Sequence, residues 1–336
     1  MMKYKPLKFL ITVFGVLMCT PFAAVAGTWT VNVENDRIAN TDRNYSNGFR
    51  LGWVSDAEDG SDIPMLRDTL QFLYPLADVR NGRLGLELGH NVYTPADTER
   101  RTLIQDDRPY AGWLYLSASL NAETGKGFGE HYTETLDTMA VELGVVGPSA
   151  LGRQVQNGFH KLINVATNKG WDNQLKDEPG INLIGERKWR HRAYKFSGFE
   201  VDAIPHLGAT LGNVYTHANG GATVRFGQQL DIDYGPPLIR PNASGFGAIN
   251  PADGLAWYMF AGVDGRAVAR NIFLDGNTFR DSHSVDKKTF VGDFYAGVAF
   301  IYGPARIAFT HVMRSREFDQ QPDSDRFGAI SLSVHF

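Results

Sequence analysis

A two-residue alternation of apolar and polar side chains runs through most of the chain. In the last segment Ile330, Leu332, Val334 and Phe336 alternate with Ala329, Ser331, Ser333 and His335, so one face is greasy and the other small and polar. The same period marks Trp29, Val31 and Val33 against Thr30, Asn32 and Glu34, then Phe49, Leu51 and Trp53, then Leu84, Leu86 and Leu88 against Gly85, Glu87 and Gly89. It returns in Met139, Val141, Leu143 and Val145, in Phe199, Val201 and Ala203 against Glu200 and Asp202, and in Phe294, Ala296, Val298 and Phe300. Alternation of this kind predicts strands with one apolar face. Glu87, Glu142, Glu200 and Asp202 sit in the middle of such runs, which is costly in a dry core and natural in a wet barrel lumen. The pattern therefore predicts an all-β fold, a transmembrane antiparallel β-barrel. A terminal Phe336 on an alternating strand further marks a substrate of the outer-membrane insertion machinery.

Thirteen strand-like runs can be counted, whereas a bacterial single-chain barrel with both ends on the periplasmic side needs an even number. Leu255 to Asp275 is the best place to merge two runs, with Gly262, Asp264 and Gly265 bulging one long strand rather than turning it. About 12 strands result, and the loop from Glu34 to Ser46 falls on the same outer rim as an insertion at 147–179. The Pro/Gly-rich stretch Gly235 to Gly254 reads as one long loop. No second domain, internal repeat or low-complexity linker is visible, so residues 27–336 form one barrel domain, expected to act as a monomer.

Within the insertion the period changes. Leu151 to Ile163 reads at helical spacing, with Val155, Phe159, Leu162 and Ile163 as an apolar stripe. Gln156 and His160, at i and i+4, share a face beside that stripe and can point together at the barrel wall. Gly152 and Gly158 each cost up to ~1 kcal/mol relative to Ala, so docking rather than propensity must keep this helix. The bland alternative for His160 is an exposed surface histidine.

Composition narrows the setting. Lys3, Lys5 and Lys8 precede the apolar run Phe9 to Cys19, and Ala24-Val25-Ala26 offers small residues before a cut, so residues 1–26 are expected to be a secretory signal peptide. Its removal takes away three lysines and the only cysteine, moving the net charge from −4 to −7. A secreted chain without disulfides must hold together through its core or a closed sheet. An acidic balance argues against a nucleic-acid partner, which asks for a basic face. The mean hydropathy of −0.25 does not separate a soluble protein from a barrel, because barrel strands alternate.

Candidate chemistry concentrates in Val33 to Leu51. Glu34, Asn35, Asp36, Asp42, Arg43, Asn44, Tyr45, Ser46 and Asn47 crowd between two strand-like runs. Carboxylates, amide oxygens and carbonyls suit a hard cation such as calcium (Ca2+). The same residues also suit Asx turns in a polar hairpin loop. A second polar cluster holds Glu99, Arg100 and Arg101, then Asp106-Asp107-Arg108-Pro109-Tyr110-Ala111-Gly112-Trp113. Its paired arginines can face phosphate oxygens or pair with Glu99, Asp106 and Asp107.

Several words, taken in order, resemble the lipid A 3′-O-deacylase (LpxR-type) family of Gram-negative outer membranes. They are E-N-D at 34–36, T-D-R-N-Y-S-N-G at 41–48, Y-T-P at 93–95, D-R-P-Y-A-G-W at 107–113, G-V-V-G-P at 144–148, V-Q-N-G-F-H at 155–160 and G-W-D-N-Q-L at 170–175. The resemblance implies a twelve-stranded barrel with a calcium site between its wall and an outer-loop helix, acting on lipid A or lipopolysaccharide in the outer leaflet. By the same resemblance Asp36 would bind calcium with Asn35 beside it, and His160 would be the general base. Gln156, Tyr45, Ser46 and Gly48 would line the reacting centre, and Arg100 and Arg101 would face the glucosamine phosphate side. Where the family has an acidic residue soon after the helix histidine, this chain has Ala166 and Thr167.

Two other readings remain open from the residues. Ser46 activated by His160 would make a phospholipase with an acyl-enzyme intermediate. A non-enzymatic barrel, either a narrow pore or one whose charged lumen is plugged by its own side chains, needs neither group.

Overall fold

The computed structural model describes residues 26–35, 44–56, 64–76, 78–79, 82–126, 133–163, 167–236 and 247–336, with residues 44–46, 124–126, 133, 162–163 and 193 described by backbone alone. The expected signal peptide, apart from Ala26, and Asp36 lie outside these residues. Twelve strands close into one antiparallel meander barrel: β1 (Thr28–Asn35), β2 (Asn44–Val54), β3 (Arg83–Thr94), β4 (Ala111–Lys126), β5 (Thr133–Val146), β6 (Glu178–Phe196), β7 (Phe199–Gly212), β8 (Tyr215–Gln228), β9 (Leu255–Asn271), β10 (Phe290–Tyr302), β11 (Ala305–Arg314) and β12 (Asp325–His335). The seam is the β1–β12 ladder, running from Thr28↔His335 to Asn35↔Gly328. Gly27 and the terminal Phe336 extend it, each backbone N–H donating to the other's carbonyl. A side chain at Gly27 would strike the Val54 carbonyl, and its φ of 129° is one that only glycine adopts freely.

Alternation sorts the two faces as the sequence predicts. Leu86, Leu88, Leu116, Leu143 and Ile181 are exposed on the outside, while Glu87, Glu142 and Asp202 are buried inside. β9 is one strand, as the merger of two runs requires. The expected bulge at Gly262 to Gly265 is absent, because those residues pair in unbroken register with Gly292 to Tyr295 on one side and Gly220 to Thr223 on the other. Glycines there leave room for neighbouring aromatics: a Cβ at Gly262 would meet the Tyr295 ring at 2.5 Å. The polar loop that follows β1 is also shorter than expected. β1 runs to Asn35 and β2 starts at Asn44, so Glu34, Asn35, Asn44, Tyr45, Ser46 and Asn47 belong to strands.

The lumen is tied from wall to wall. Arg50 donates to Glu34 at 2.9 Å, Tyr115 to Glu87 at 2.8 Å, Asn182 to Glu142 at 2.8 Å, and Arg266 and Arg314 share Asp293. Tyr93 on β3 and Tyr215 on β8 meet hydroxyl to hydroxyl at 2.6 Å. Each rim also sends a short element inward. The one-turn helix α3 (Ile272–Asp275; α1 and α2 are described below) stacks Phe273 on Tyr93 at 4.0 Å between ring centroids. At the rim of the chain ends, a 3-10 turn (Leu230–Ile232) leads into Asp233, whose carboxylate accepts from Arg225, Arg306 and Tyr258.

Burial alone would push the Asp233 carboxyl up, but the guanidiniums of Arg306 and Arg225 outweigh it and bring the group from 3.8 down to about 2. A carboxylate with a depressed folded value contributes its full stability above the unfolded value and loses it as pH falls through about 2. The hydrogen-exchange protection of residues 229–236, relative to the intrinsic rate at each pH, should therefore fall on acidification through that window while the barrel strands stay protected. Asp233→Asn should show the faster exchange already at neutral pH, and protection equal to the parent would refute the anchor.

Candidate functional site

The 147–177 connection folds back onto the outer wall. Its backbone is held first by Gly147 N–H donating to the Gly112 carbonyl at 3.1 Å, then by Leu175 N–H donating to Tyr110 at 2.9 Å. Asp177 accepts from the Ser149 backbone N–H and hydroxyl at 2.7 and 2.8 Å. Trp171 tilts against Tyr110 at 4.9 Å and, with Val92, forms a small buried cluster. The word D-R-P-Y-A-G-W thus works as a socket for the insertion. Its Arg108 is buried against Glu317 at 2.7 Å. Burial alone would push the Glu317 carboxyl up, but Arg108 and Arg314 outweigh it and hold it below the ordinary range.

The helix α2 (Gly152–Ile163) follows this socket and carries His160 and Gln156, as the spacing predicts. Close approach is built on glycine: a Cβ on Gly152 would come within 2.9 Å of Trp171 and 3.2 Å of the Gly112 Cα. His90, whose side chain shares the outward face of β3, donates from Nε2 to the Ala150 carbonyl at 2.7 Å and fixes the helix entry. An ionisable residue on the lipid side of a strand was the available signal for His90, which the reading of the sequence passed over.

The helix α2 turns its Gln156–His160 face to the wall, as their spacing allows. Gly152, Gln156 and His160 form the buried stripe, whereas Val155 is 40% exposed and Leu151 is exposed just before the helix. Arg153, Gln154, Gly158 and Lys161 are exposed as well, so the side of α2 away from the wall is mostly polar and Val155 lies at its edge. The side chains of Leu162 and Ile163 lie outside the described residues. In the buried stripe the Gln156 amide N–H donates to His160 Nε2 at 3.1 Å. That nitrogen therefore carries a lone pair. Gln156 Oε1 is buried with no hydrogen-bond partner among the described residues, and so are both amide atoms of Asn168 on the return segment. Asn168 N–H donates to Asn157 Oδ1 at 3.0 Å, which keeps the return segment against α2.

The first-strand residues split between the faces. Glu34 is taken into the lumen by Arg50. Asn35 has the opposite direction and pairs with Asn47, which pairs with Val92, so the row Asn35–Asn47–Val92 lies on the outward face that α2 adjoins. Gly48 pairs with Glu34 and Asn91 on the lumen side, and Tyr45 pairs with Tyr93. Ser46 is the unpaired residue of a β-bulge in β2, not a turn residue as expected, and bulges re-aim side chains at strand ends. Arg100 and Arg101 are exposed on the 95–110 loop and, among the described residues, make no ion pair with Glu99, Asp106 or Asp107. The Arg101 carbonyl accepts from Asn173 at 2.7 Å, which ties this basic pair to the insertion.

A closed, even-stranded antiparallel barrel with an apolar outer belt and a charged lumen defines a bacterial outer-membrane protein, here one with a helix-covered polar site on its wall. The chain belongs to the LpxR family: the family model described as outer membrane protein LpxR matches residues 9–336. LpxR from Salmonella typhimurium is similar in structure, with a TM-score of 0.73 at 20% identity over 92% of this chain and 100% of that one, which establishes a shared fold. The β domain of the Bordetella autotransporter BrkA gives a TM-score of 0.41 at 12% identity, over 93% of this chain and 100% of that one, too low to carry an argument. No curated protein matches the sequence.

The two helix glycines make opposite predictions. A Cβ at Gly158 would have nothing within 4 Å, so Gly158→Ala should firm α2 by up to ~1 kcal/mol without moving it. Gly152→Ala should lift the helix from the wall and raise hydrogen exchange across residues 152–163; indistinguishable exchange in the two variants would refute the docking role.

Proposed function

We propose that this protein is a calcium-dependent outer-membrane ester hydrolase that removes the 3′-linked acyloxyacyl chain of lipid A, with water activated by His160. The observation that carries this reading is the buried Gln156–His160 pair turned toward the outer wall of the barrel, in a chain of the LpxR family. A buried imidazole within the membrane zone is costly and marks a functional site by default.

The residues fit calcium. Asn35 stands on the outward face at the end of β1 with Asp36 next in the chain, and the unpartnered Gln156 Oε1 adds a buried amide oxygen on the facing helix. These are hard oxygen donors. Asp36 and Asn35 would hold the ion, which when bound would polarise the ester carbonyl and stabilise the oxyanion. Neutral His160 takes the proton of the attacking water and returns it to the leaving alkoxide, the Gln156 amide 3.1 Å from Nε2 giving up its hydrogen bond as the water engages that lone pair. Gln156 sets the ring's orientation. Arg100 and Arg101, exposed and held against the insertion, supply bidentate donors for a sugar phosphate.

His160→Ala should lower turnover at least ~10²-fold with little change in substrate binding, because general-base catalysis supplies about 10²- to 10⁴-fold. Asp36→Asn should keep the folded barrel and lose most calcium-dependent hydrolysis. Mass spectrometry of lipid A from cells making each variant reads both outcomes, and full activity in chelator sinks the calcium role.

The bulge at Ser46 favours one alternative. It places Ser46 on the wall strand rather than in a turn, as a serine nucleophile paired with His160 on a phospholipid would require. Ser46→Ala should leave substantial activity under the water mechanism and almost none under the acyl-enzyme mechanism.

A further inference from the structure

The connection between β2 and β3 contains a helix, α1 (Pro64–Leu73), for which the lipid A reading has no use. It does not cap the rim. Leu70 at its centre, half-buried Leu66, and Tyr74 and Val79 beyond it pack on Leu84 of β3, Leu120 and Ala122 of β4 and Met139 of β5. Leu84, Leu120 and Met139 are ladder partners in one row, and that row lies on the outer face of the barrel. Four residues along the same strands the outward row reads Leu88, Leu116, Leu143 and Ile181, all exposed, which is the lipid-facing belt. The seat of α1 is thus the lowest rung of that belt, about 14 Å from its exposed part at ~3.4 Å per residue.

The apolar arc of α1 is wider than its seat on the wall, while Arg67, Asp68 and Gln71 hold the opposite side. Met65 and Phe72, at i and i+7, are 82% and 85% exposed, and Leu76 just past the helix is 72% exposed. A helix on a watery surface buries its apolar arc against the protein, whereas an amphipathic helix with much of that arc uncovered lies in an interface with apolar material. Asp68 is exposed, and three other polar groups of the helix are occupied within the connection. The Thr69 hydroxyl donates to the Met65 carbonyl at 2.7 Å, Arg67 donates to the Gly82 carbonyl at 2.7 Å, and Gln71 accepts from Val79 N–H at 2.7 Å. Beneath the helix lies Asp137, a carboxylate on the outward face of β5. It is fully buried because the Tyr74 hydroxyl donates to it at 2.6 Å and Arg187 at 2.8 and 3.0 Å. Arg187, 31% exposed, also reaches the Leu76 carbonyl, the behaviour of a cation snorkelling toward a head-group layer.

We propose that α1 is an in-plane membrane helix whose outer face, Met65, Phe72 and Leu76, binds the phospholipid acyl chains of the inner leaflet at the rim that carries the chain ends. The occupant follows from continuity: α1 sits flush with a belt that already faces lipid. A helix of this kind sinks about 5–10 Å into the boundary between head groups and chains. This role is independent of the hydrolytic site at the other rim.

The chain has a single cysteine, Cys19, in the segment expected to be removed, so a cysteine placed elsewhere is unique in the mature chain. Met65→Cys and Phe72→Cys, spin-labelled and reconstituted in phosphatidylethanolamine/phosphatidylglycerol vesicles, report depth by collision with oxygen and with a water-soluble nickel chelate. Leu116→Cys serves as the lipid control and Asp172→Cys, at an 84% exposed side chain, as the water control, with heat-modifiable gel mobility confirming each barrel. Both α1 labels should give the oxygen-to-nickel ratio of Leu116, several-fold above that of Asp172. A ratio equal to the Asp172 control overturns the proposal in favour of a water-facing helix. Loss of both collision rates together also overturns it, because it would mean that a second copy of the chain covers the face.

Discussion

Hydrocarbon offers no partner to an unpaired backbone N–H or carbonyl, and the β1–β12 ladder is where this chain satisfies that demand. Without the seam the first and last strands would both be open edges. With it, inside and outside are defined for every residue of the barrel by parity alone. The Gly27–Phe336 pair carries the closure to the last residue, so the seam holds together segments from opposite ends of the chain.

Closure also divides the chemistry. Charges gather on the lumen side, where Glu34, Arg50, Asp202, Arg225, Asp264, Arg266, Asp293 and Arg314 find opposite partners within the protein. The outward face beside α2 holds side chains that need carry no charge: Asn35, Asn47, Gln156, His160 and His90. Neighbouring residues such as Glu34 and Asn35 have opposite fates because the pleat sends them to opposite faces. A metal placed on the outer wall would draw its negative charge from Asp36, the first residue beyond the strand.

Much of this was legible in the alternation. Strand parity, charged lumen and barrel closure follow from which residues sit at even and odd positions, and the helix at 152–163 follows from a change of period. The turn of Gln156 and His160 toward the wall was legible in their i, i+4 spacing, whereas the exposure of Val155 was not, because an apolar stripe does not state which medium meets it. The resemblance marked Gln156 and His160, and the fold shows that they form one buried pair. Ser46 was misplaced because polar, turn-forming residues near a strand end also build bulges. The helix α1 was missed although its apolar residues form a one-sided arc, because ten residues between two strands give fewer than three turns in which to see the period. His90 was overlooked because in a strand only parity distinguishes a lumen histidine from one that supports a docked helix.

The site between barrel wall and α2 lies on the outer wall rather than over the mouth of the barrel, with Val155 and Leu151 exposed beside it. A molecule embedded in the same leaflet meets it by sliding sideways, without leaving the membrane. Encounter then takes place in two dimensions, and the quantity that sets its frequency is the mole fraction of the target among neighbouring lipids. Diluting a suspension of cells leaves that fraction untouched; enriching the leaflet with inert lipid lowers it.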